Sequence, residues 1–167
     1  MRTFDCRGQA LMYDLMFAVM VFLLIFAFAT SKYTENIKEA INSDIRKDMR
    51  MNAENRINAM AESSGVPNNW YVLAPEETEI VGLARKPLVI SEERLNYFVG
   101  LDYNTAKEIM NVEGYEFWFE MPDANAGMDI NAGFYPLNAG ESIVLSRNVD
   151  YNSSITEMKF CLWREAS

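Results

Sequence analysis

The feature that most constrains this 167-residue chain is an apolar run near its N-terminus. Residues 10–30 contain a single charged side chain, that of Asp14. As a helix rising ~1.5 Å per residue, the run is long enough to cross the hydrocarbon core of a bilayer. An acidic side chain costs about 2.5–3.5 kcal/mol near the centre of a membrane helix and less near its ends. The run therefore predicts a spanning helix whose charge needs a partner.

Charge is distributed unevenly along the chain. The formal net charge is −9, yet Arg2 and Arg7 precede the apolar run and the acidic remainder follows it. By the positive-inside rule, this asymmetry predicts that the N-terminus lies in the cytoplasm and the body outside. An acidic body also argues against nucleic-acid binding, because phosphate neutralisation needs clustered Lys and Arg side chains.

Three interpretations of the N-terminus are open. In the first, the run is a secretory signal cut after Ala29, which releases a soluble protein that begins at Thr30. In the second, the run is an uncut membrane anchor. In the third, a peptidase cuts between Gly8 and Gln9, and the whole apolar helix stays on the mature protein. The run exceeds the apolar stretch of about 7–15 residues found in cleaved secretory signals.

Helical patterning continues beyond the run, with neither Gly nor Pro before Gly65. Apolar residues recur at every fourth position; they are Tyr33, Ile37, Ile41, Ile45, Met49, Ala53 and Ile57. The pattern predicts one helix over residues 10–63, about 80 Å long. A four-residue step overshoots the 3.6-residue turn by about 40°, so this stripe winds around the helix. We expect its lower part to contact other subunits or lipid and its upper part to pack on the chain's own head; the alternative is a helix that lies on one core.

The predicted cytoplasmic cut site resembles that of a known family. Arg7-Gly8-Gln9, followed at once by a spanning helix with an acidic residue in its first turns, resembles the class III signal peptide of archaeal type IV pilins. In that family a prepilin peptidase cuts after the glycine, and the apolar helices then pack together as a filament core. The resemblance implies that Gly8 and Gln9 form the processing site and that Gln9 becomes the mature N-terminus.

The resemblance also implies a partner for Asp14. In pilin-like assembly the acidic side chain meets the new α-amino group of a neighbouring subunit, here that of Gln9, which neutralises a charge otherwise buried in lipid. Pilins of this family often have serine and glutamate where this chain has Leu11 and Tyr13, so the acid here comes one place later. The alternative is that Asp14 lies about one turn inside the membrane and is hydrated or protonated there.

These patterns predict an α+β fold, and the resemblance to archaeal type IV pilins implies that it is divided into four segments. Residues 1–8 are a cleaved signal peptide, residues 9–30 a transmembrane and filament-core helix, residues 31–64 an amphipathic stalk and residues 65–167 a globular head. We expect the head to contain two short helices, capped by Ser91 and Asp102, and an antiparallel β-sheet. Strands are expected at Glu79–Leu83, Tyr115–Met121, Glu141–Tyr151 and Ile155–Trp163, the last two forming a hairpin. The stretch from Pro67 to Met121 also looks like a head segment of archaeal pilin-like secreted proteins.

The remaining residues offer few sites. Asp123, Asn125, Asp129 and Asn131 alternate like the ligands of a calcium loop, but the EF-hand positions for Gly and Glu are not met, so we expect a turn region without metal. Asn152-Ser153-Ser154 is a possible N-glycosylation site at the predicted hairpin tip. Cys6 and Cys161 lie at opposite ends of the chain, and no disulfide is expected. Core packing is the expected role of Trp70, Tyr71, Trp118 and Trp163.

No catalytic constellation is present in the sequence. The chain has no histidine, which removes the commonest general base near neutral pH and the commonest zinc ligand. The expected function is that of a structural pilus subunit that is not an enzyme and uses no cofactor, and the displaced acid indicates a minor subunit. Its implied partners are the prepilin peptidase, other pilin subunits and, before assembly, the cytoplasmic membrane. The alternative is an extracellular binding domain, either secreted after a cut at Ala29 or left anchored in the membrane.

Overall fold

A computed structural model describes the backbone of residues 6–123 and 128–165 and the side chains of residues 12–122 and 130–165. The elements of this part of the chain are α1 (Cys6–Glu62), β1 (Ala84–Lys86), β2 (Val89–Ile90), α2 (Glu92–Val99), α3 (Tyr103–Ile109), β3 (Glu116–Asp123), β4 (Met128–Gly133), β5 (Ala139–Tyr151) and β6 (Ser154–Glu165). One long N-terminal helix, two short helices and a six-stranded sheet confirm the predicted α+β fold. The chain forms two compact units, which meet between Ile45 and Arg46.

The first unit is helical from Cys6 onward, and its described side chains are exposed from Met12 to Asp44. The helix α1 continues through Ala29 without a break, in agreement with the absence of Gly and Pro from this stretch. A helix that is apolar on all sides, as this one is before Thr30, requires lipid or other apolar surfaces around it.

The second unit begins with the last turns of α1, where the four-residue stripe becomes buried. Met49, Ala53 and Ile57 are fully buried, whereas Ile37 and Ile41 are exposed. The expectation that the upper part of the stripe packs on the chain's own head is therefore confirmed. What the lower part contacts stays a prediction.

The C-terminal end of α1 is held by backbone hydrogen bonds from a later loop. The last carbonyl groups of a helix have no partner within the helix. Here the Leu83 amide donates to the Met60 carbonyl over 3.0 Å, and the Leu88 amide donates to the Ala61 carbonyl over 2.8 Å. Gly65 then turns the chain with a φ of 89°, a left-handed conformation that glycine adopts at little cost. The predicted stop after residue 63 is thus confirmed.

The sheet has the strand order β1-β2-β5-β6-β3-β4. All neighbouring strands are antiparallel except β2 and β5, which run parallel through the single pair Val89–Asp150. The sheet is therefore mixed. Its one parallel pair joins β2 and β5, two strands that are far apart in the sequence. Strands β5 and β6 form the expected hairpin, and its two turn residues, Asn152 and Ser153, both have positive φ, as a type I′ turn requires.

Both predicted helix starts are confirmed. Ser91 precedes α2 in an extended conformation, but its side chain makes no capping hydrogen bond, so the predicted side-chain cap is absent there. Asp102 precedes α3 and caps it by accepting a hydrogen bond from the Asn104 amide over 3.0 Å. One core joins α1, both short helices and the inner face of the sheet. Its largest fully buried side chains are Trp70, Phe98, Phe117, Phe119, Phe160, Met49, Ile57, Met60, Leu83, Leu95, Met110 and Met121.

Two expectations about strands differ from the structure. The strand predicted at Glu79–Leu83 is absent from the described elements, and only Ile80 forms an isolated bridge, with Val66. The reason is that the amides after Gly82 bond to the end of α1, not to a neighbouring strand. Strand β4 lies in a stretch that the sequence indicates as a turn region, and it pairs with β3 from Gly133 to Met128.

Candidate functional site

The apolar part of α1 has the geometry of a membrane-spanning or helix-packing segment. An 18-residue window reaches a mean hydropathy of 2.3, and none of that window is buried. Its large apolar side chains range from 38% exposed at Val21 to 71% exposed at Tyr13. By length and composition this helix can cross a membrane. Within its own compact unit, this window contributes no buried side chain.

Polar groups begin abruptly at the C-terminal end of the apolar segment. The Thr30 hydroxyl donates to the carbonyls of Phe26 and Ala27, each over 3.0 Å, so it is satisfied within the helix. One turn later, the Lys32 ammonium and the Glu35 carboxylate form an ion pair at 2.7 Å. This change from apolar to charged side chains is the pattern expected where a helix leaves a bilayer. The Thr30 hydroxyl is bonded within the helix, and the charges of Lys32 and Glu35 lie where water would surround them.

The predicted processing and assembly residues lie in the first turns of α1. Gly8 and Gln9 fall within the helix bounds, and the side chain of Gln9 lies outside the described residues. The side chain of Asp14 is exposed on the apolar segment. Residues five apart on a helix lie about 140° apart around its axis, so Asp14 and Gln9 of one helix do not face each other. A pair between them requires two copies of the chain.

The head carries an open cleft between α3 and the loop that joins β4 to β5. It encloses about 730 Å³. Three apolar side chains of the loop face solvent there: Phe134 is 57% exposed, Tyr135 58% and Leu137 81%. The buried Trp163 forms part of the wall, and its indole N–H donates to the Phe134 carbonyl over 3.0 Å. This bond holds the loop against the sheet.

A polar network forms one side of this cleft. The Glu116 carboxylate accepts hydrogen bonds from the Tyr103 hydroxyl and from the Lys107 ammonium, the latter over 2.9 Å. Burial, followed by the hydrogen bond to Glu116, raises the pKa of Tyr103 far above its usual value. Burial alone would raise the pKa of Glu116, but the hydrogen bonds from Lys107 and Tyr103 outweigh it and hold the pKa below its usual value.

Sequence reasoning did not identify this cleft. Its residues come from α3, β3, β6 and the loop before β5, so no local spacing connects them. The one local signal is the run of apolar side chains Phe134, Tyr135 and Leu137 between Gly133 and Asn138, in a stretch otherwise typical of a polar loop.

Comparison with known proteins gives no family. No protein-family model matches the chain, and no curated protein sequence or solved structure is significantly similar to it.

The remaining predictions concern a glycosylation site, a calcium loop, a cysteine and four aromatic residues. Asn152 is exposed at the tip of the β5–β6 hairpin. The calcium-loop alternative falls on residues 123–131; the side chains of residues 123–129 lie outside the described residues, and Asn131 is exposed on β4. Cys161 is buried, and desolvation raises the pKa of its thiol to about 11, so the thiol is protonated near neutral pH. Trp70 and Trp163 are buried, and Tyr71 and Trp118 are half-buried, in agreement with packing roles.

Proposed function

We propose that this chain is a structural subunit of an archaeal type IV-like pilus, assembled through its N-terminal apolar helix and used for surface attachment. The observation that carries this proposal is the exposed apolar segment of α1, which directly follows Arg7-Gly8-Gln9. Such a segment needs apolar neighbours. In the proposal, lipid surrounds it before assembly and the helices of other subunits surround it afterwards. The displacement of Asp14 by one place relative to the family favours a minor subunit.

In this proposal the N-terminus passes through insertion, cleavage and assembly in that order. The chain is inserted in the cytoplasmic membrane with Arg2 and Arg7 inside and the head outside. The prepilin peptidase cuts between Gly8 and Gln9, and the spanning helix stays on the mature protein. Extraction into the filament then pairs the Asp14 carboxylate with the α-amino group of Gln9 in an adjacent subunit. None of these steps requires catalysis by this chain.

The mature N-terminus tests the proposal most directly. We expect N-terminal sequencing of protein from sheared filaments to begin at Gln9. A start at Thr30 would instead support a secreted domain, and a start at Met1 would support an uncut anchor.

Two matched variants sharpen this experiment. Gly8→Val should block processing and leave full-length chain in the membrane. Ala29→Val, which removes the small residue before the alternative cut, should leave processing and filament yield unchanged. The opposite pattern, with processing lost only in Ala29→Val, would contradict the pilin proposal.

A second candidate function is an extracellular binding domain, and the open aromatic cleft of the head is the observation that favours it. It differs from the first candidate in the fate of the helix, because a secreted domain loses the apolar segment after Ala29 and an anchored domain keeps it uncut. Finding the protein as a soluble monomer that starts at Thr30 would establish this candidate in place of the pilus subunit.

A further inference from the structure

We infer that the cleft between α3 and the β4–β5 loop is a binding site for uncharged saccharides. The inference concerns the head alone, and it holds whether or not the apolar helix assembles into a filament. It begins from the three side chains of the loop, Phe134, Tyr135 and Leu137, which remain largely exposed although they are apolar.

The aromatic rings are held in place. The Phe134 ring packs on the Tyr103 ring with centroids 4.2 Å apart, and the Tyr135 ring meets the Trp118 ring edge-to-face at 5.5 Å. Each ring therefore packs against a neighbour, while its residue stays more than half exposed. A fixed exposed ring binds a flat apolar face at a lower entropic cost than a mobile side chain does.

Polar groups suited to hydroxyls stand beside these rings. The side-chain amides of Asn104 and Asn138 and the carboxylate of Glu165 line the cleft, and they make no side-chain hydrogen bond to the other described residues. An amide offers both donors and an acceptor, and a carboxylate offers two acceptors. A saccharide ring presents C–H groups on its face and hydroxyls on its rim, so stacked rings and planar polar groups match it together.

Charge argues against the other ligand classes. The lining contains the acidic residues Asp102, Glu116 and Glu165 and the base Lys107, a formal sum of −2. This net charge disfavours phosphates, nucleic acids and acidic polysaccharides, although only modestly, because the two carboxylates that Lys107 does not neutralise lie on exposed residues. For cations, the Glu116 carboxylate is already engaged by Lys107 and Tyr103. The other two carboxylates lie on exposed residues, where attraction is weak in water.

The test uses the full chain in a detergent without a sugar headgroup, because a glycosidic detergent would compete. The probes are oligosaccharides of β-linked glucose and of β-linked N-acetylglucosamine, titrated while saturation-transfer NMR and tryptophan fluorescence are recorded. Since Trp163 lines the cleft, its emission should change on binding. For so open a site we expect a dissociation constant of about 1 mM.

The variants separate the cleft from the rest of the surface. Tyr135→Ala should weaken binding about tenfold through loss of stacking, and Tyr135→Phe should retain it. Asn104→Ala, an exposed change that leaves the rings in place, should also weaken binding. Ile155→Ala is the matched control: this residue is 80% exposed and lies eight residues before Trp163 on β6, about 26 Å away, so its loss should have no effect.

Three results would overturn the inference. One is that neither oligosaccharide binds in a saturable way. Another is that Tyr135→Ala and Asn104→Ala bind as the unaltered chain does, which would place binding elsewhere. The third is that tetramethylammonium or oligolysine binds the cleft while both oligosaccharides fail, which would make the ligand a cation. The protein is unassembled in these assays, so their outcome is independent of whether the mature N-terminus is Gln9.

Discussion

At the scale of single residues, Asp14 is the side chain whose environment most needs a partner. If it pairs with the α-amino group of Gln9 in a neighbouring subunit, Asp14→Ala should leave membrane insertion and cleavage intact, since a polar group leaves the apolar segment. Assembly should fall sharply, because breaking a buried ion pair costs roughly 3–5 kcal/mol. Cross-linking to neighbouring subunits and immunogold labelling of sheared filaments would measure incorporation.

The conservative variants distinguish charge from shape at this position. Asp14→Glu should retain much of the assembly, because its longer arm still carries the charge. Asp14→Asn keeps the volume but removes the charge, and it should behave like Asp14→Ala. Normal incorporation of Asp14→Ala would show that the charge has no part in assembly.

Glu116 makes the stability of the head depend on pH. Because hydrogen bonds hold the pKa of Glu116 in the folded state below its ordinary value of 4.5, its carboxylate stabilises the fold above pH 4.5. That contribution is lost as the pH falls through the lower folded-state pKa. The Glu116 side chain is 32% exposed, so we expect Glu116→Gln to cost at most about 1 kcal/mol at neutral pH, and less under acid conditions.

Urea unfolding followed by the fluorescence of the buried Trp70 would measure this difference between about pH 3 and pH 7. Glu157→Gln is the control, since Glu157 is 48% exposed and lies 3.7 Å from Lys159. It should change stability little at either pH. A difference between Glu116→Gln and the unaltered chain that stays constant with pH would contradict the assigned role of Glu116.

At the scale of elements, the apolar stripe of α1 is exposed in its lower half and buried in its upper half. Ile57 is fully buried, and Ile41, sixteen residues earlier on the same helix, is 53% exposed. We expect Ile57→Ala to destabilise the head by about 2–5 kcal/mol, because it leaves a cavity in a closed core. Ile41→Ala should change the head's unfolding by no more than about 0.5 kcal/mol.

The same two variants separate folding from assembly. In the pilus proposal, Ile41→Ala should lower filament yield while the unfolding midpoint in urea stays constant. Equal effects of both variants on head stability would show that the exposed half of the stripe also belongs to the folded core.

At the scale of the whole molecule, charge limits how closely copies can approach. Residues 46–167 contain 11 basic and 19 acidic side chains, a formal charge of −8. In the pilus proposal, heads packed side by side in the filament repel each other, and the Debye length grows from about 10 Å at 0.1 M salt to about 30 Å at 0.01 M. We therefore expect sheared filaments to release subunits near 10 mM salt and to remain intact near 0.5 M salt. Sedimentation at the two ionic strengths would measure this, and a yield independent of salt would contradict it.

Local signals predicted much of the head. The hairpin of β5 and β6 was predictable because two apolar runs flank Asn152-Ser153, residues that accept the positive φ of a tight turn. Asp102 marked the start of α3 through its side-chain cap. Strand β4 was not predictable, because Met128–Gly133 has the composition of a turn and becomes a strand only by pairing with β3.

The sequence by itself determined the long helix, the apolar segment with its one acid, the stop before Gly65 and the α+β class. These features depend on composition and on spacings within a few turns, which act through local sterics and periodicity. Tertiary structure alone decided which part of the α1 stripe is buried, that β2 joins β5 in parallel, and that Phe134 packs on Tyr103 of α3 while Tyr135 packs on Trp118 of β3. Each of these joins residues far apart in sequence, and such contacts follow from the packing of whole elements around a shared core.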